Sequence, residues 1–197
     1  MSNQPESFSS LPLAVQRVAF ALRSVGWVCF WGQSVLAVIA ALILLFAIPF
    51  AFPNVNPGTK SANPATGVGL FFAVCGLLVL AHSAYRAFRY TQLSKKLISP
   101  GADPRPKKAE TIEKIRFTLI SNAIGMFLTI LAAESIGGVL LGKSLSQPQA
   151  LFNPAVNFNQ FIQPLDIFVV LANTHAILAH FLGLISALWL LDRINKQ

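Results

Sequence analysis

One segment, residues 164–191, sets the architecture that we expect for the whole chain; it reads PLDIFVVLANTHAILAHFLGLISALWLL. It is long enough to cross a bilayer as a helix, which takes roughly 20 apolar residues. Asp166, Asn173 and His180 are spaced seven apart, so they fall on nearly one line of a helix. Because polar groups at membrane depth need partners, this line should face protein or a cavity, with the other spans packed around it.

The composition of the 197-residue chain indicates a membrane protein. It is 54% hydrophobic and 11% charged, whereas soluble domains average about 25% charged residues. Its apolar residues form long uninterrupted blocks, which is typical of integral membrane proteins. Cys29 and Cys75 lie in different blocks and form no C-x-x-C motif, so we expect neither a disulfide nor a cysteine metal site. We predict an all-α integral membrane protein with a single domain over residues 1–197.

Four apolar blocks predict four transmembrane helices. Residues 11–24 carry apolar residues at helical spacing, which predicts a short N-terminal amphipathic helix on the membrane surface. The alternative is that these residues extend the first span. The predicted segments are a tail and interfacial helix at 1–24, TM1 at 25–52, TM2 at 67–85 with its helix extending to about 97, a basic cytoplasmic loop at 86–116, TM3 at 117–142, an outer loop at 143–164 and TM4 at 165–191.

The positive charges predict the orientation in the membrane. Of the 15 Lys and Arg residues, all but Lys60 and Lys143 lie on the side of the two termini and the central loop. An excess of Lys and Arg marks the cytoplasmic side, so we expect both termini to be cytoplasmic. The net charge of +8 therefore reflects topology, and we expect no nucleic acid partner. The basic loop suits lipid headgroups, with docking of a partner protein as the alternative.

The chain contains none of the sequence motifs that commonly mark an enzyme. It lacks HExxH, G-x-S-x-G, a phosphate-binding loop and a dinucleotide fingerprint, which are the motifs that carry recognisable chemistry. We expect no catalytic activity and no cofactor. The N-terminus has neither a basic segment before a short apolar core nor an Arg- and Ser-rich leader, so we expect no cleaved signal or transit peptide.

Polar residues inside the predicted spans are the candidates for a functional site. A charged group at bilayer depth costs roughly 2.5–3.5 kcal/mol on insertion scales, so such residues pair, protonate or act. The functional interpretation is a cation path along TM4, and carboxylate plus imidazole suits iron, manganese or zinc. Its candidate residues are Asp166 at the outer mouth, Asn173, His180, and, less directly, Glu134, His175 and His82.

The structural alternative assigns these residues no ion. In it, Glu134 is protonated and hydrogen-bonded, and Asp166 is an ordinary carboxylate at a helix N-terminus. The histidines then serve as interhelical hydrogen-bonding groups. We also expect His175 to lie apart from the line of polar residues, because it is about 200° around the helix from Asn173.

Several blocks of the sequence resemble one known family. They are FWGQ at 30–33, NAIGM at 122–126, LDIFVV at 165–170 and AHFLGL at 179–184, with PRP at 104–106 before a basic helix. Together they resemble the chloroplast inner-envelope family known both as the 21-kDa Tic translocon component and as permease in chloroplasts, with its cyanobacterial relatives. The resemblance runs from about residue 18 to residue 193.

The resemblance implies a four-span helical protein of the chloroplast inner envelope or of a cyanobacterial plasma or thylakoid membrane. Because we expect no transit peptide, we expect this chain to belong with the cyanobacterial relatives. It implies one of two roles, iron uptake or preprotein import. Our first hypothesis is transport or homeostasis of iron or a similar divalent metal ion. Four helices are few for a pore, so we expect a homo-oligomer or an assembly with other membrane proteins. The alternative is a non-enzymatic subunit or assembly factor of a membrane complex such as a protein translocon.

Overall fold

Four long α-helices make up the part of the chain that the structure, a computed structural model, describes, namely residues 12–51, 64–99, 108–150 and 161–196. They are α1 (Leu13–Ala51), α2 (Pro64–Ile98), α3 (Lys108–Ala150) and α4 (Pro164–Asn195). Each is long and apolar enough to cross a membrane, as the sequence predicted. Residues 1–11, 52–63, 100–107, 151–160 and 197 lie outside the described residues. They include the predicted polar tail, the last residue of the predicted TM1 and parts of the predicted loops.

The helices close into an antiparallel bundle. α1 packs on α2, α2 on α3, α3 on α4, and α4 back on α1, which is the up-down-up-down arrangement of four-helix bundles. Leu22 near the start of α1 and Ile194 near the end of α4 belong to one apolar cluster. The start of α1 and the end of α4 therefore lie at the same end of the bundle, which we call the basic end because the described Lys and Arg residues other than Lys143 are concentrated there.

Apolar clusters occupy the interior at both ends and in the middle. The cluster at the basic end is built around Leu22, Ile115 and Leu190. The cluster at the opposite end, which we call the outer end, contains Leu44 and Ala132. A smaller cluster in the middle joins Leu80 to Ala176 and Ala179. Many interior residues are small, which allows helix backbones to approach closely in a membrane.

The outer surface of the bundle is apolar. Phe46, Phe71 and Phe127 are 69%, 61% and 60% exposed, respectively. A contiguous apolar surface of this kind marks a membrane or protein interface rather than water contact. The bundle thus presents an apolar exterior suited to lipid, as expected of a multi-pass membrane protein.

The predicted interfacial helix is not a separate element. α1 runs without a break from Leu13 to Ala51, so the alternative, an extension of the first span, is what the structure has. Ala19 and Leu22 are fully buried against α2, α3 and α4, and the Ser94 hydroxyl donates to the Ala19 carbonyl at 2.7 Å. The apolar face was identified correctly, but it packs into the bundle because the other three helices also continue past the predicted spans.

All four helices are longer than the predicted membrane spans. They contain 39, 35, 43 and 32 residues, whereas a span needs roughly 20. The second helix was predicted to extend to about residue 97, and α2 ends at Ile98, within the predicted basic loop. Residues 108–116 of the predicted basic loop and 143–150 of the predicted outer loop are also helical. In these segments polar residues interrupt the apolar sequence but do not end the helices, because polar side chains beyond the membrane can face water.

Candidate functional site

A cluster of four polar side chains lies inside the bundle, one from each helix. Gln33 of α1, Ser83 of α2, Asn122 of α3 and His180 of α4 are each fully buried. We call these four residues the central cluster. Because each belongs to a different helix, the cluster fixes all four helices relative to one another.

Asn122 is the acceptor at the middle of the central cluster. Its Oδ1 accepts from Nε2 of Gln33 at 3.0 Å and from the hydroxyl of Ser83 at 2.9 Å. Its own Nδ2 donates to the Thr118 carbonyl at 2.9 Å, which fixes the orientation of the amide. Nε2 of Gln33 also reaches the Ala179 carbonyl of α4 at 3.1 Å. Buried polar groups are tolerated when paired in this way.

His180 faces an acceptor oxygen at each of its ring nitrogens. Nδ1 lies 3.3 Å from Oδ1 of Asn122, and Nε2 lies 3.2 Å from the Gly76 carbonyl oxygen. A neutral imidazole carries one N–H, so it can donate to only one of the two, whereas a doubly protonated ring donates to both. In its neutral form the ring can therefore donate to only one of these two oxygens, and the other is left without that hydrogen bond.

Glycines make room for the central cluster. A Cβ atom at Gly125 would overlap the His180 ring, and one at Gly183 would overlap the amides of Asn122 and Gln33. One at Gly76 would lie 2.5 Å from Cγ2 of Thr129. Since only glycine leaves these spaces open, the backbones of α2, α3 and α4 come close enough for the polar side chains to meet.

Asn173 lies two helical turns from His180 toward the outer end and is also buried. Its Nδ2 donates to the Thr129 carbonyl at 2.8 Å. Its Oδ1 is buried and has no hydrogen-bond partner among the described residues. A buried acceptor without a partner commonly marks the place of a water molecule or an ion.

Asp166 lies in the first turn of α4, at the outer end of the bundle. Its Oδ2 accepts from the backbone N–H of Gln163 at 2.9 Å and pairs with Nζ of Lys143 at 2.6 Å. The two charged side chains are about one-fifth exposed, 21% for Asp166 and 19% for Lys143. The carboxylate is thus neutralised by a cation of α3 and stabilised at a helix N-terminus.

Asp166, Asn173 and His180 form a polar column along α4, about 21 Å long at 1.5 Å per residue. Asn173 and His180 face the interior of the bundle, as predicted for this line of residues. The column begins at the paired carboxylate of Asp166 and ends in the central cluster. Among the described residues, no group of three or more His, Cys, Asp and Glu side chains could hold a metal ion.

The remaining predicted site residues lie away from the column. Glu134 is exposed on the outside of α3. His175 is half-buried, and its Nδ1 lies 2.6 Å from the Leu171 carbonyl of its own helix. His82 is exposed, and its ring forms an edge-to-face pair with Phe117 at 6.2 Å between centroids. The structure therefore does not bring Glu134 and His175 together with Asp166, Asn173 and His180.

Sequence analysis missed three of the four residues in the central cluster. Gln33 and Asn122 lie within blocks that were used for the family resemblance but were not identified as site residues. An amide inside an apolar span is itself a signal, because it is costly at membrane depth without a partner. Ser83 carries no such signal, since serine is common in membrane helices and can bond its own backbone.

Comparison with known proteins relates the chain to one family model and to a chloroplast protein. A family model described as a protein of unknown function (DUF3611) matches residues 12–195. The protein of Arabidopsis thaliana named "Protein TIC 21, chloroplastic" is 30% identical over 184 residues, which cover 92% of this chain and 59% of that protein. The chain thus spans less than two thirds of the length of this relative. No solved structure matches the chain.

Proposed function

The chain belongs to the family described as a protein of unknown function (DUF3611), and we propose that it acts in membrane transport of iron or a similar divalent cation. The polar column of Asp166, Asn173 and His180 is the proposed path. The observation that carries this proposal is the unpartnered Oδ1 of Asn173, buried between the other two residues. It offers a cation an oxygen ligand at a depth where most side chains are apolar.

The ligands of the polar column suit a cation that binds weakly and moves from one position to the next. Carboxylate and amide oxygens bind hard divalent ions, and imidazole suits iron and zinc. Asp166 would receive the ion at the outer end in exchange for Lys143, and His180 with the Gly76 carbonyl would be its last ligands in the column. Because each position supplies few protein ligands, the ion would keep part of its water shell.

The central cluster closes the path in this structure. Gln33, Ser83, Asn122 and His180 hydrogen-bond directly to one another or to backbone carbonyls. Passage therefore requires the Asn122–His180 contact to open, and at 3.3 Å it is among the longest hydrogen bonds of the cluster. We propose that this contact is the gate. Because the described Lys and Arg residues are concentrated at the basic end, the protein would have that end in the cytoplasm.

Uptake into liposomes that contain only the purified protein tests this function. Radiolabelled iron, manganese and zinc would be offered to these liposomes and to empty liposomes of the same composition. We expect at least one of the three ions to enter the liposomes that contain the protein and not the empty liposomes. Absence of uptake for all three ions, with the protein shown to be folded in the liposomes, would overturn the transport proposal.

A second candidate function is that of a subunit or assembly factor of a membrane complex, such as the translocon that the family resemblance of the sequence blocks implies. The observation that favours it is Glu134, which is exposed on α3 and has no hydrogen-bond or ion-pair partner among the described residues. Gly138 and Gly142 follow it at intervals of four, with nothing within 4 Å of a Cβ built on either. A carboxyl group beside small residues suits contact with another membrane helix, from a second copy of this chain or another protein.

Cross-linking in the native membrane tests the second function. A photoreactive amino acid would be placed at position 141, which is exposed on the same part of α3, and at position 178 on α4 as a control. Protein adducts specific to position 141, and lost in a Glu134→Gln/Gly138→Leu variant, would support the subunit function. Equal adduct patterns at the two positions would contradict it.

A further inference from the structure

A groove of about 370 Å³ lies between α1 and α4 at the basic end of the bundle. Its lining includes two arginines, Arg17 and Arg193, and the apolar or aromatic side chains of Phe20, Val25 and Trp189. The volume is within the range of roughly 300–1,000 Å³ that small-molecule sites occupy. Among the residues that the structure describes, no acidic residue lines the groove.

The two arginines are available to an anion. Both are exposed, and neither has a carboxylate partner in the part of the chain that the structure describes. Asp192, the carboxylate next to Arg193, pairs instead with Nζ of Lys196 at 2.7 Å. A guanidinium group presents several N–H donors in a plane, which suits two-point binding of phosphate. The two guanidiniums flank one opening from different helices.

The groove changes in character along the bundle axis. Trp189 and Val25 lie farther from the termini than Arg193 and Arg17, by four and eight residues of helix, or about 6 and 12 Å. The cationic groups therefore lie at the end of the groove that faces water, and the apolar and aromatic groups lie at the end that is nearer the membrane interior. Trp commonly lies at the membrane–water boundary, so the groove spans the depth at which a headgroup joins its acyl chains.

We propose that this groove binds an anionic glycerophospholipid. Arg17 and Arg193 bind the phosphate, and one acyl chain lies along Phe20, Val25 and Trp189. A soluble phosphate would use the arginines alone, whereas the apolar lining suits a ligand that carries a hydrocarbon chain. Basic pockets between membrane helices recognise lipid headgroups in this way. The proposal is independent of the cation path, since it involves none of the residues of the polar column.

Quenching of Trp189 by brominated lipids tests the proposal. The chain has three tryptophans, so a Trp27→Phe/Trp31→Phe background leaves Trp189 as the only indole. This protein would be placed in vesicles of phosphatidylcholine that contain brominated phosphatidylglycerol, or brominated phosphatidylcholine at the same mole fraction. Each basic residue near the membrane surface favours binding of an anionic lipid roughly fivefold. With two arginines in the groove, we expect phosphatidylglycerol to be preferred over phosphatidylcholine on the order of 25-fold.

Two variants separate the groove from general surface charge. In the double variant Arg17→Gln/Arg193→Gln, the preference for phosphatidylglycerol over phosphatidylcholine should disappear. Arg23 is an exposed arginine of α1 that does not line the groove, so Arg23→Gln should leave this preference nearly unchanged. Ser24→Phe, which fills part of the groove and keeps both arginines, should lower quenching by phosphatidylglycerol. All variants would be checked for helix content, and the substituted arginines are exposed, so the fold should persist.

Three results would overturn the proposal. The first is equal quenching by the two lipids when all arginines are present, because the groove then recognises no anionic headgroup. The second is an equal loss of preference in Arg23→Gln and in the double variant, because the effect would then be one of net charge. The third is protection of Trp189 from both lipids, because protein rather than lipid would then cover the groove.

Discussion

The imidazole ring of His180 on α4 occupies the space in which a side chain at position 125 of α3 would stand. The two helices can therefore approach only because position 125 is glycine. This contact is close to the hydrogen bond between His180 and Asn122, so the packing of α3 on α4 and the polar chemistry of the central cluster depend on the same few residues.

Gly125→Ala should destabilise the bundle. The added methyl group would force the His180 ring to move, and overpacking of this kind costs about 1–3 kcal/mol. Gly137→Ala is the matched control on the same helix, because nothing lies within 4 Å of a Cβ built there and alanine favours helix. The measurement is the thermal midpoint of the detergent-solubilised protein. Equal midpoints for the two variants would contradict the close approach at Gly125.

Asn122→Leu should also destabilise the protein, for a different reason. It removes the oxygen that accepts from Gln33 and Ser83, and each hydrogen bond lost in this way contributes about 0.5–1.5 kcal/mol. Gln33 keeps the Ala179 carbonyl as an acceptor, and Ser83 keeps Oε1 of Gln33. Ser121→Ala, at the adjacent half-buried position, is the control. Unfolding of both variants by sodium dodecyl sulfate in mixed micelles measures the difference. If Asn122→Leu unfolds at the same detergent fraction as the control, the hydrogen bonds of the central cluster contribute little to stability.

The ion pair of Lys143 and Asp166 should be coupled more strongly than the pair of Lys196 and Asp192. The first pair is about one-fifth exposed, whereas the second is 70% and 61% exposed. Exposed pairs contribute at most about 1 kcal/mol, and often nothing measurable, so we expect a coupling of about 0.5–1 kcal/mol for the first pair and close to zero for the second. Double-mutant cycles with Lys→Met and Asp→Asn measure both. A larger coupling for the Asp192 pair would contradict this ranking.

Much of the fold follows from the sequence, because membrane helices are marked by long apolar blocks. The inward-facing line on α4 was also predictable: Asn173 and His180 are seven residues apart, and a helix brings such residues to one face. The exclusion of His175 from this line follows from the same geometry. Single helices are therefore well described by periodicity alone.

The position of Glu134 shows where the prediction could have been sharper. Ala132 is fully buried against α2 and α4, and two further residues along α3 turn the chain by about 200°. Glu134 must then face away from the bundle interior. The small residues Gly125, Thr129 and Ala132 marked the buried face in the sequence, and their spacing already places Glu134 opposite.

The central cluster could not be predicted from a single sequence. Gln33 and Asn122 meet only because α1 and α3 have a particular stagger along the bundle axis, and no periodicity within one helix encodes that stagger. The packing partner of residues 13–24 could not be predicted from the sequence either. Their apolar face was visible, but whether it meets lipid or protein depends on how far α2 and α4 extend beyond the membrane.

Comparison of two double variants in the liposome uptake assay tests the polar column as the cation path. Asp166→Asn/His180→Ala removes a carboxylate and an imidazole from the column, whereas Glu134→Gln/His175→Ala removes the same two groups outside it. We expect the first variant to lose uptake on the order of tenfold or more, corresponding to about 1.4 kcal/mol, and the second to retain it. Equal uptake by the two variants, at equal amounts of folded protein, would contradict the path.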